Sequence, residues 1–150
     1  MASRRELGSW LEPQRPQSGA PAAYPGQRLG RPPEGPRSLA SFGRRLVALA
    51  VDWGIALLIA GGLLRNVHLG QFGPLLVLLV ENVVLVGTAG ATVGHRLLGM
   101  RVEALDGSAP GPVKALVRSV LLCLAIPPLV WDADHRGLHD RWAATLVART

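Results

Sequence analysis

The sequence predicts an all-α integral membrane protein: a helical bundle of two membrane-length helices and a third hydrophobic segment that either spans or re-enters, plus a small two-stranded β element and a disordered N-terminal tail. Three observations predict it. Apolar runs cover residues 46–64, 72–93 and 113–131, each close to the roughly 20 residues that cross a hydrocarbon core. Arginines gather ahead of the first run (Arg37, Arg44, Arg45) and after the second (Arg96, Arg101), where cytoplasmic flanks of membrane helices carry positive charge. Asp52 stands alone inside the first run. A carboxylate at that depth costs about 2.5–3.5 kcal/mol on insertion, so it faces other protein and marks a site.

Composition bounds the alternatives. The 150 residues are 49% hydrophobic with a mean hydropathy of +0.28, which suits one compact unit. A net charge of +6 and a pI near 11.2 would fit a nucleic-acid partner if the basic residues formed a stripe on a soluble helix. They flank apolar runs instead, so no nucleic-acid partner is expected. Cys123 is the single cysteine, so no disulfide framework forms within one chain, and its apolar surroundings suit a small buried hydrophobe. Residues 1–40 contain no apolar stretch long enough for a cleavable signal, which leaves targeting to the first span.

Residues 1–40 hold seven of the 12 prolines, five glycines and six arginines, a composition that cannot bury enough surface to fold. They are expected to form a disordered cytoplasmic tail ahead of a membrane domain over 41–150. Within the tail, residues 4–11 could instead make a helical turn or two that sets Leu7, Trp10 and Leu11 against lipid. The connection 65–71, with Asn66, His68 and Gly70, is short enough to make the first two helices antiparallel neighbours. The second helix carries Glu81, Asn82, Thr88 and Thr92 as a polar stripe. In the third run Lys114 and Arg118 occupy the first turns and Pro127-Pro128 interrupts the second half, removing backbone donors. Such a break is tolerated at membrane depth only beside protein or water, so spanning and re-entrant readings both stand. Residues 100–105, closed by Asp106-Gly107, and residues 144–148 read as short strands. Pairing between them places the C-terminus on the cytoplasmic side; three complete spans place Arg136, Arg141 and Arg149 outside, against the usual charge asymmetry.

Arg45 and Asp52 are seven residues apart, on one helical face but about 10 Å apart along the axis. They cannot bridge each other, and the partners on offer are Glu81, Asn82, Lys114 and Arg118, with an Arg118–Asp52 pair the most attractive. Asp52 and Glu81 could bind a cation or pass a proton; equally, these groups could be ion pairs and hydrogen bonds that hold three helices, with Gly61, Gly62, Gly87 and Gly90 allowing close approach. Asp132, Asp134, His135, His139 and Asp140 suggest a metal site, but Gly137 weakens the helix between the histidines and no third ligand is fixed by spacing. The expectation is a polar interfacial stretch with Trp131 and Trp142 at headgroup level, with no metal and no cofactor. No nucleophile–base set, phosphate loop or HExxH is present, so no enzymatic activity is expected.

The residues assembled here resemble the RDD family of small bacterial polytopic membrane proteins, named for one arginine and two aspartates. The resemblance runs from about Phe42 to Thr150 through three ordered motifs. Arg45-Leu46-Val47-Ala48-Leu49-Ala50-Val51-Asp52 supplies the arginine and the first aspartate; Thr92-Val93-Gly94-His95-Arg96-Leu97-Leu98-Gly99-Met100-Arg101-Val102 leads into Asp106-Gly107 and Arg118; Gly137-Leu138-His139-Asp140-Arg141-Trp142-Ala143-Ala144-Thr145-Leu146-Val147 supplies the second aspartate. The chain departs where the family often has Pro-Gly-Lys and this sequence has Val93-Gly94-His95, and its third hydrophobic region is short. The resemblance implies a multi-pass protein of the bacterial plasma (inner) membrane, with Arg45, Asp52 and Asp140 as motif residues and the N-terminus cytoplasmic. Arg96, Arg118, Glu81 and Asn82 are the expected polar partners. Ion or solute transport has been proposed for some members. Two functions follow: a transport component built on an intramembrane carboxylate, or a non-transporting scaffold or accessory subunit. Either has the lipid bilayer as partner, and a pathway would need a homo-oligomer or another membrane protein to enclose it.

Overall fold

The two longer apolar runs are helices in the computed structural model, which describes residues 22–68, 70–124 and 136–150. Helix α1 covers Phe42–Leu58 and continues through a π-helical turn at Ile59–Leu63, where Gly61-Gly62 lowers the steric cost of the wider turn. A 3-10 turn at Gly70–Phe72 leads into α2, Gly73–Ala89, with Pro74 in its first turn. Both stretches have membrane-crossing length and composition, at 22 and 20 residues, yet only 17% and 22% of their most apolar windows are buried. A core helix of a soluble protein would hide such a surface. Here Leu46, Val47, Leu57, Leu58, Leu76, Val80 and Val84 face outward, as helices solvated by hydrocarbon do.

What is buried lies at one end of the pair. Gly90, at φ 68°, closes α2 in the left-handed region that glycine enters without penalty, and its carbonyl accepts from the Val102 amide at 2.7 Å. Helix α3 (Val93–Leu97) and strand β1 (Met100–Ala104) follow, then α4 (Gly111–Cys123), α5 (Leu138–Trp142) and strand β2 (Thr145–Arg149). The strands pair antiparallel with Val102 opposite Val147, close to the expected positions. Their inward residues Met100, Val102 and Val147 pack with Ala40, Ala48, Val86 and Ala115, joining the sheet to α1, α2 and α4.

One expectation needs correction. Residues 22–40 are not a solvated tail: Ala40 and Val147, and Arg37 and Ser38 with Arg149, exchange backbone hydrogen bonds, and Leu39 bridges Ala148. The physical reason is that β2 has an open edge whose donors and acceptors need partners. Arg31, 5% exposed, adds an ion pair to Glu103 at 2.8 Å. Residues 1–21, including the 4–11 stretch, lie outside the described residues.

Of the third apolar segment, only the part up to residue 124 lies among the described residues. Helix α4 starts beside the end of α2, where a Cβ on Gly87 would lie 3.3 Å from the Pro112 Cα and 3.5 Å from the Ala115 Cβ. Its 13 residues extend only about 20 Å. The chain is back at the same end by α5, since Asp140 contacts Arg118 and β2 pairs with β1. β2 shares an end with the start of α1, where Arg45 donates to the Val147 carbonyl. Residues 125–131, with Pro127-Pro128, lie outside the described residues.

Candidate functional site

Asp52 lies on the buried stripe Ala48, Asp52, Ala56 of α1, and it is 1% exposed. Its Oδ2 accepts from the Thr92 hydroxyl at 2.5 Å and its Oδ1 from the Gly94 amide at 2.7 Å. The carboxylate thus satisfies a free amide at the start of α3, which otherwise has no helical acceptor. Thr92 is itself the N-cap of α3 and accepts from the His95 amide at 3.2 Å. Gly94 is required by contact: a Cβ there would land on the Ala48 carbonyl and within 2.8 Å of its carbon. No other residue lets α3 lie so close to α1.

His95 extends the network. Its Nδ1 is 2.6 Å from Thr92 Oγ1. A hydroxyl has one proton, and Thr92 gives it to Asp52, so the histidine proton sits on Nδ1 and donates to the hydroxyl. Burial, then the positive charge of Arg118, lowers the imidazole to about 3 against an opposing pull from Asp140. The ring is neutral at physiological pH.

Asp140, fully buried, organises the second cluster. Arg118 Nε donates to Oδ1 at 2.7 Å, Arg45 Nη1 to Oδ2 at 3.3 Å, and Thr145 Oγ1 to Oδ1 at 3.3 Å. His139 Nε2 lies 3.5 Å from Oδ2. Burial alone would push this carboxyl up; Arg118, His139 and Arg45 outweigh burial and hold it well below the usual carboxylate range. Arg45 also donates to the carbonyls of Ala40 and Val147, and Arg136 donates to Thr145 O at 3.0 Å. One carboxylate therefore ties together α1, α4, α5 and β2.

The attractive Arg118–Asp52 pair is not formed, because Arg118 turns to Asp140 and Asp52 turns to neutral donors on α3. Arg45 and Asp52 make no contact with each other, as their spacing requires. Asn82 is 2% exposed and donates to Leu78 O within its own helix at 3.1 Å, the way a polar side chain satisfies itself inside a helix. Both Glu81 oxygens and Arg118 Nη1 are buried without a hydrogen-bond partner among the described residues. Arg96 is exposed and joins neither cluster. Of the residues weighed as metal ligands, Asp132, Asp134 and His135 lie outside the described residues, while His139 and Asp140 face each other in the ion cluster.

The sequence pattern of the RDD family matches residues 39–144, and the matched stretch contains Arg45, both aspartates and the whole Asp52–Thr92–His95 network. The chain belongs to the RDD family. RDD proteins are small membrane proteins, which agrees with the two exposed apolar helices. Neither curated proteins nor solved structures provide a match. Within this RDD chain, sequence reasoning missed Thr92, Gly94, His95 and Thr145 as network members. The signal for the first three was a threonine directly ahead of Val93-Gly94-His95, an N-cap pattern; Thr145 had only its place in the third motif.

Proposed function

We propose that this RDD chain is a non-transporting, non-enzymatic membrane scaffold or accessory subunit, whose charged residues lock one end of a helix pair. One observation carries the reading: all four oxygens of the two motif aspartates are taken by Thr92, Gly94, Arg118, Thr145 and Arg45 of the same chain. A carboxylate that handles ions needs a side open to them. The locked end, with its arginines, faces the cytoplasm of a multi-pass protein in the bacterial plasma membrane. Another membrane protein or a second copy covers part of the exposed helix faces. The test is proton and sodium flux in liposomes holding the purified chain. No flux above empty liposomes is expected, and Asp52→Asn should lower thermal stability in detergent. Flux in the native protein that disappears in an inserted Asp52→Asn variant would overturn the scaffold reading.

A second reading, a transport component, is favoured by Glu81, whose two buried oxygens have no hydrogen-bond partner among the described residues. It predicts native flux that Glu81→Gln removes while melting is unchanged.

A further inference from the structure

Where α2 ends against β1, a pocket of about 290 Å³ is lined by Ala89, Ala91, Arg96, Met100, Arg101 and Thr150. We infer that this pocket holds the phosphate headgroup of an anionic phospholipid, gripped by Arg96 and Arg101. Three observations combine, on the reading of α2 as a membrane span.

Depth comes first. The apolar stretch Gly70–Ala89 has 20 residues, about 30 Å of helix, which equals the hydrocarbon thickness. A cavity walled by Ala89 therefore sits at the level of the headgroups. Charge comes second. Arg31, Arg45 and Arg118 each pair with a carboxylate, whereas Arg96 and Arg101 are exposed and form no ion pair among the described residues. Guanidinium groups bind phosphate through paired N–H donors, and basic pockets at the cytoplasmic ends of membrane helices take anionic headgroups.

Shape comes third. Gly99, at φ 61°, turns the chain between α3 and β1 and brings the two arginines to one cavity. Gly90 carries no side chain, and Arg101 Nε lies 3.4 Å from where its Cβ would be, so the guanidinium folds over the end of α2. Leu97, 71% exposed, and Val93, 38% exposed, stand on α3 beside the arginines, apolar surface suited to the acyl region just below a bound phosphate.

The test is native mass spectrometry of the full chain released from micelles of equal phosphatidylglycerol and phosphatidylcholine. The native chain should retain phosphatidylglycerol selectively, and Arg96→Gln/Arg101→Gln should lower that retention about tenfold, while Arg141→Gln at another exposed arginine leaves it unchanged. An unaltered preference in the double variant overturns the inference. So does displacement of the lipid by excess inorganic phosphate, which would assign the pocket to a soluble anion. If the double variant does not fold, Arg96→Gln and Arg101→Gln are tested singly, and no loss in either has the same force. Carbonate washing of proteoliposomes separates the grounds of failure: a chain that washes off was never a span, whereas a retained chain without lipid preference refutes the headgroup site alone.

Discussion

The two motif aspartates are both buried, yet they are held by opposite kinds of partner. Asp52 accepts from a hydroxyl and a backbone amide; Asp140 accepts from two guanidinium groups. The first works over a short distance, pinning one five-residue helix to α1. The second binds four elements from distant parts of the chain. The difference teaches that a family pattern of three charged residues need not form one charged site. Arg45 and Asp140 meet, whereas Asp52 stands in a separate network with Thr92, Gly94 and His95.

The sharpest way to break this comparison is Asp140→Asn. It leaves Arg45 and Arg118 buried together without a counter-charge, and removing one partner of a buried pair costs about 3–5 kcal/mol. Denaturation in detergent should show that loss, or the chain should fail to accumulate. Because Asp140 is held well below its ordinary value, its stabilisation is present above about pH 4 and is lost as pH falls towards the folded value.

Asp52→Ala should cost less, about 1–3 kcal/mol, for stranding the Gly94 amide and the Thr92 hydroxyl. A loss equal to that of Asp140→Asn would erase the distinction between the two sites. Gly94→Ala tests the same contact from the other side by forcing a Cβ into the Ala48 backbone. It should destabilise by about 1–3 kcal/mol, seen as faster hydrogen exchange at α3; unchanged exchange would mean that α3 does not lie on α1.

The effect at His95 shows only as a dependence on pH. Its folded value is about 3 against 6.5 when unperturbed, so the unfolded chain binds a proton that the folded chain refuses. Stability contributed by the neutral ring is complete above 6.5 and declines as pH falls, by up to about 1.4 kcal/mol per pH unit. His95→Gln should flatten the fall in melting temperature between pH 7 and pH 5. An unchanged slope would show that the ring is not the group responsible.

Much of the architecture was legible because it depends on local pattern. The apolar runs located α1 and α2 since hydrocarbon length is a property of consecutive residues. The strands around Val102 and Val147 followed from two short runs, the first closed by the Asp106-Gly107 turn. The tail was misread through residue 40 because proline and glycine content says nothing about an open strand edge elsewhere, and that edge on β2 recruits Arg37 to Ala40. The pairing of Arg118 was misassigned for a similar reason: helical spacing locates a charge along an axis but cannot say which of two aspartates lies across from it.

By itself, the sequence determined the membrane-length helices, the family, the face shared by Arg45 and Asp52, and the fact that these two could not reach each other. Each of these follows from spacing along one segment. Only the tertiary structure decided that Asp52 serves α3, that Asp140 collects Arg45 and Arg118, and that α5 and β2 lie at the end of the helix pair where α4 starts. Those outcomes depend on which buried donors meet which acceptors when α1, α4, α5 and β2 converge, a competition among groups separated by up to 102 residues that no local pattern encodes.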